Sequence, residues 1–151
     1  MHLNHKSLLL IAAILVAHGG AFAQDRPATW APRTGDAWID QALADVNRYG
    51  ERYRDAFVDE MVRYYGAPRD YVDELMGKQQ WKPGDVYYAC AIAQIVGRSC
   101  RYVVEEWQRD HEQGWGGLAQ RMGIQPGSAQ FQQLKSGFAL SYKRWSRPLP
   151  G

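Results

Sequence analysis

From residue 36 to residue 135 the apolar positions recur at intervals of three and four, the spacing that gathers them on one face of a helix. No segment alternates apolar and polar residues long enough to read as a strand. Asp36 stands as an N-cap before Trp38, Ile39, Ala42, Leu43 and Val46, which share a face. Residues 47–54 are ambiguous, because Gly50 serves equally as a stop or as a weak helical position. Phe57, Val58, Met61, Val62 and Tyr65 predict a second helix up to Gly66. Pro68 opens a third, with Tyr71, Val72 and Leu75 inward. A loop from Lys78 to Gly84 folds Trp81 back on the core, and Asp85 caps the next helix. That helix carries Val86, Ala89, Cys90, Ala93 and Val96, small side chains that admit close neighbours, so it is expected at the centre. After Gly97, residues 100–110 turn Val103, Val104 and Trp107 inward. Gly114-Trp115-Gly116-Gly117 makes a corner into residues 118–122, and Pro126-Gly127-Ser128 opens a last helix with Phe131 and Leu134.

The fold class that follows is all-α. It is a compact orthogonal bundle of six or seven short helices joined by glycine-stopped helix–turn–helix corners. The corners resemble one another. With Gly66 placed over Gly97, Tyr71 falls on Tyr102, Val72 on Val103 and Glu74 on Glu105. A further shift sets Gly97 over Gly123 and Ala93-Gln94 over Ala119-Gln120. Internal duplication explains this, and so does the reuse of helix–Gly–helix corners by any compact helical protein. The local architecture is the same under both readings.

The two ends of the chain change the picture. Lys6, the apolar run from Leu8 to Ala17, and Ala21-Phe22-Ala23 form the pattern of a secretory leader over residues 1–23, cleaved after Ala23. Ten apolar residues are too few for a bilayer span, which takes about 20. The remaining chain of 128 residues suits one domain, with residues 24–35 as a linker, 36–137 as the helical domain and 138–151 as a tail. A periplasmic or secreted location makes a bond between Cys90 and Cys100, the only two cysteines, the natural reading. On one straight helix they would stand about 15 Å apart, so the bond requires reversal at Gly97-Arg98-Ser99. Two buried free thiols are the alternative.

Charge is uneven. Residues 24–112 hold twelve Lys and Arg against sixteen acids, whereas residues 113–151 hold five basic residues and no acid. Those five are Arg121, Lys135, Lys143, Arg144 and Arg147. With Trp115, Tyr142 and Trp145 they form a candidate binding surface for an anionic envelope component or an acidic protein. The competing reading lays the same segment along the chain's own acidic helices.

Candidate chemistry is sparse. His111 is the one histidine after the leader, too little for an ordinary nucleophile–base pair. Glu106, Asp110 and His111 on one helix end are commonplace surface residues, so no metal or cofactor is expected. Glu105 and Glu106 point about 100° apart on a helix. Glycan cleavage by a carboxylate pair, the alternative function, therefore needs a partner such as Asp59, Glu60 or Glu74. A nucleic-acid reader is disfavoured, because residues 100–112 carry more acid than base.

The sequence G-W-G at 114–116, A-Q-R-M-G-I at 119–124, Q-P-G-S at 125–128, Phe131 and Leu134-Lys135 resembles a motif of small exported bacterial helical proteins of unknown function. The resemblance covers at most residues 87–135. It implies a helical fold and an envelope location, and it assigns no activity and no site. The expectation is a non-catalytic exported interaction protein.

Overall fold

The computed structural model describes residues 29–151. The expected leader and its cleavage position lie outside these residues. Seven helices follow one another: α1 Ala37–Arg52, α2 Arg54–Tyr65, α3 Arg69–Gly77, α4 Pro83–Val96, α5 Cys100–Arg109, α6 Gly114–Arg121 and α7 Ala129–Arg144. No strand occurs among the described residues, and no helix there is long and apolar enough to cross a membrane. The fold is an all-α bundle.

Helix α4 is its axis. Every residue from Val86 to Ala93 is buried, so the helix has no solvent stripe. Helices α1, α2, α3, α5 and α7 all pack on it. Burying a Val, Ile or Tyr side chain there contributes about 1.5–3 kcal/mol each against leaving it in water. At the crossing with α1 the closest approaches are made by two glycines outside the expected stripe. A Cβ on Gly84 would stand 2.8 Å from the Leu43 carbonyl oxygen, and one on Gly50 would stand 2.4 Å from Pro83 Cβ. Gly50 is thus a helix–helix contact rather than a stop, and α1 runs on to Arg52.

Gly66 and Gly97 both close their helices in the left-handed conformation, at φ 66° and 67°. Glycine holds that conformation without a Cβ clash. The reversal at Gly97 folds α5 back along α4, and Cys90 and Cys100 form a disulfide across a Cα separation of 4.4 Å. Asp36 caps α1 by accepting from Ile39 N–H, and Ser128 caps α7 by accepting from Phe131 N–H.

Four expectations are corrected. Helix α4 begins at Pro83, so Asp85 lies in its first turn, and its carboxylate accepts Trp30 Nε1–H and Trp115 Nε1–H at 2.8 Å each. Residues 114–117 are the first turn of α6 rather than a corner leading to it. The part of the expected linker that is described, residues 29–35, is a docked strap. Its Pro32 and Arg33 carbonyls accept from Trp115 and Gly116 N–H at 3.0 Å, satisfying donors that the start of a helix leaves free. Finally, the boundary expected at residue 137 falls inside α7, which continues to Arg144. Past the helix the chain returns over α1, where Trp38 Nε1 donates to the Pro150 carbonyl at 3.1 Å.

Candidate functional site at the C-terminal helix

Helix α7 carries most of the residues singled out for binding, and its inward face explains what they do. Leu134, Phe138, Ser141 and Tyr142 are buried. Tyr142 donates to Asp45 Oδ2 at 2.8 Å, deep under α1. Trp145 stacks on Tyr49 with ring centroids 4.3 Å apart. Arg147 then reaches both Asp45 oxygens, at 2.9 and 3.0 Å. Burial pushes the Asp45 carboxyl up, yet the hydrogen bonds from Tyr142 and Arg147 outweigh it and hold the group below its ordinary range.

One turn along, a directed chain of hydroxyls runs through the core. Tyr65 donates to Tyr87 at 2.8 Å, Tyr87 to Ser141 at 3.0 Å, and Ser141 to Glu60 Oε1 at 2.8 Å. Arg144 closes it, with Nε 2.9 and 3.0 Å from the two Glu60 oxygens. The Glu60 side chain is 3 % exposed, and that guanidinium is the only cationic partner it has among the described residues. The outer face of the same guanidinium lies 3.8 Å from the centroid of the Tyr64 ring.

The remaining predicted residues are also engaged. Lys135 donates to Asp36 Oδ2 at 2.8 Å and lies 5.2 Å from the Trp38 ring centroid. Arg121 holds the Asp110 carbonyl at 2.7 Å and its carboxylate at 3.5 Å. Trp115 is wholly buried, stacked on Trp107 at 3.9 Å, so it is a core residue rather than a surface contact. Of the eight residues expected to bind, only Lys143 is exposed without an ion-pair partner among the described residues. The segment does lie along the chain's own acids: Asp36, Asp45, Glu60 and Asp110 are its counter-charges.

Sequence reasoning missed the outer flank of α7. Gln133, Ser136-Gly137, Leu140 and Lys143 follow one another at helical spacing, and the first four line a groove of about 170 Å³ against α4. Tyr65, Ala91, Gln94, Ile95 and Leu134 complete it, so the groove contains no charged residue. Leu140 is 60 % exposed, the most exposed large apolar side chain among the described residues. A Cβ on Gly137 would meet nothing within 4 Å, so the groove is open there. A lone apolar residue one turn from a lysine is weak evidence in a sequence; the groove beside it comes from α4.

Of the carboxylates considered for glycan cleavage, three are held by arginines and Glu74 accepts from Gln79, whereas Glu105 has no partner among the described residues. Glu60 holds Arg144, Glu106 holds Arg109, and Asp59 holds Arg69. No group of three or more His, Cys, Asp or Glu able to hold a metal ion occurs among the described residues. No family model, curated protein or solved structure matches the chain.

Proposed function

We propose that this chain is an exported, non-catalytic interaction protein that docks an acidic segment of another protein on the outer flank of α7. The reading is supported by one juxtaposition: exposed Leu140 beside an uncharged groove of mixed apolar and amide lining, with Lys143, which has no ion-pair partner among the described residues, within the next turn. A concave groove receives a protruding apolar side chain, and the adjoining lysine selects an acid next to that anchor. A flat anionic bilayer would engage Lys143 but would leave the groove unused. The disulfide and the secretory pattern of residues 1–23 favour an oxidising compartment for this encounter.

The test is a pair of substitutions that leave the fold alone. Leu140→Asp and Lys143→Glu should each weaken partner binding at least tenfold, about 1.4 kcal/mol, with melting temperatures close to the parent. Affinity should fall as salt shortens the Debye length from about 10 Å at 0.1 M to about 3 Å at 1 M. Binding unchanged by both substitutions, or sedimentation with anionic phospholipid vesicles that Leu140→Asp does not affect, would refute the proposal.

A further inference from the structure

Of the motif residues in 114–135, Leu134 lines the α7-flank groove, but Gly116, Gln120, Pro126, Gly127 and Phe131 meet elsewhere, where the strap, α6 and the turn into α7 enclose a cleft of about 360 Å³. Six residues carry its character: Arg33, Gln113, Gly117, Gln120, Gly127 and Phe131. The cleft is at the small end of the roughly 300–1,000 Å³ typical of small-molecule sites.

Part of the motif has a purely architectural reason. A Cβ on Gly116 would stand 2.5 Å from the Thr34 carbonyl oxygen, so the strap can lie there only over glycine. Ile124 and Leu134 are core residues, and Ser128 is a helix cap. The cleft residues are not accounted for in this way. Gln113 and Gln120 are exposed, and neither side-chain amide has a hydrogen-bond partner among the described residues. Gly117 leaves room for the Gln113 side chain, because a Cβ there would stand 2.4 Å from Gln113 Cβ. Phe131 presents a half-buried ring at the other wall. Arg33, at the rim, is held at φ 50°, a conformation uncommon outside glycine, with its guanidinium donating to the His111 carbonyl at 3.2 Å. Such outliers persist where the surroundings over-determine them, and they gather at ligand sites.

The one carboxylate at this place is already neutralised, whereas Arg33 has no acidic partner among the described residues. Asp36, which lines the cleft, caps α1 and pairs with Lys135. Tyr88, edge-on to Trp115, is fully buried, and its hydroxyl has no partner among the described residues. What the cleft offers is therefore two planar amides, each a donor and an acceptor, an aromatic face and one cation. Vicinal hydroxyls with an apolar ring face are the chemistry that fits amides beside an aromatic ring.

We infer that this cleft is a saccharide-binding site, taking one or two uncharged pyranose units of a larger glycan. It is separate from the α7 flank and independent of the docking reading. The amides hold ring hydroxyls, Phe131 packs against the sugar's C–H face, and Arg33 lies at the mouth.

The probe is a β-1,4-linked N-acetylglucosamine tetrasaccharide, titrated into isotope-labelled protein carrying its disulfide, with maltotetraose and an uncharged Ser-Gly tetrapeptide alongside. Saturable shifts of the Gln113 and Gln120 side-chain amide resonances are expected with at least one saccharide and not with the peptide. Gln120→Ala should weaken binding about tenfold, the scale of one lost hydrogen bond. Phe131→Leu, which keeps an apolar wall but removes the ring, should do the same. No saturable shift with either saccharide up to about 10 mM would overturn the inference. So would equal shifts with the peptide, or shifts confined to the α7 flank. Leu140→Asp should leave saccharide binding intact, so failure of one site is distinguishable from failure of the other.

Discussion

Replacing Lys143, Arg144 and Arg147 together by Ser should destabilise the protein strongly, because two of the three arms neutralise carboxylates that are themselves buried. Removing Arg144 leaves the Glu60 carboxylate, 3 % exposed, with Ser141 as its remaining donor. Stripping one partner from a buried pair costs about 3 kcal/mol or slightly more. Arg147 is 35 % exposed, and Asp45 keeps Tyr142 and Arg48 after its loss, so that contribution is screened to ~1 kcal/mol. Lys143 has no ion-pair partner among the described residues and should contribute nothing measurable. The sum is about 4 kcal/mol, and for a domain of this size about 4 °C of melting temperature follows each kcal/mol. The assay is thermal unfolding followed by circular dichroism on oxidised protein, with the three single variants beside the triple one. Most of the roughly 16 °C loss should belong to Arg144→Ser, and Lys143→Ser should melt with the parent. A triple variant within about 2 °C of the parent would mean that the segment is not docked, and the ion-pair reasoning would fail.

Other consequences follow from the same contacts. Reducing the Cys90–Cys100 bond should cost about 3 kcal/mol by freeing a ten-residue loop in the unfolded chain, read as a lower denaturant midpoint; thiol counting on unreduced, denatured protein should find none free. Asp36 and Asp45 are both held below the ordinary carboxylate range, so their stabilisation is complete above the unfolded value of about 4 and is lost as pH falls through the folded values. Melting temperature should therefore drop on the acid side of pH 4, and the drop should be shallower in Arg147→Met. Gly116→Ala should displace the strap from the Thr34 carbonyl at a cost of about 1–3 kcal/mol, visible as a changed tryptophan emission as Trp30 leaves Asp85. An unaltered spectrum and stability would contradict the close approach described for Gly116.

The helices were legible because their signals are local. Gly66, Gly97, Asp36 and Ser128 each act within one turn of themselves, and the small-residue stripe of α4 announced its burial. The strap was not legible. Pro32, Arg33 and Thr34 look like a loose linker until the first turn of α6 is brought against them, and glycines read as a corner turn out to be the clearance that contact needs. The basic segment was misjudged for the same reason. Its lack of acids is a property of the sequence window, whereas its counter-charges Asp36, Asp45 and Glu60 stand 84 to 102 residues away from Lys135, Arg144 and Arg147. Charge counted along the chain says little about charge exposed on the surface. Lys143 is the residue for which the two agree.

The most direct test of the docking proposal is photo-crosslinking from position 140 in the intact cells that make the protein, with a crosslinker at exposed Asp55 as the control position. The account predicts an adduct from position 140 and none from position 55. The captured peptide should be acid-rich around an apolar residue, and yield should fall sharply when Lys143 is also changed to Glu. Equal adducts from both positions, or a captured segment without acidic residues, would contradict it.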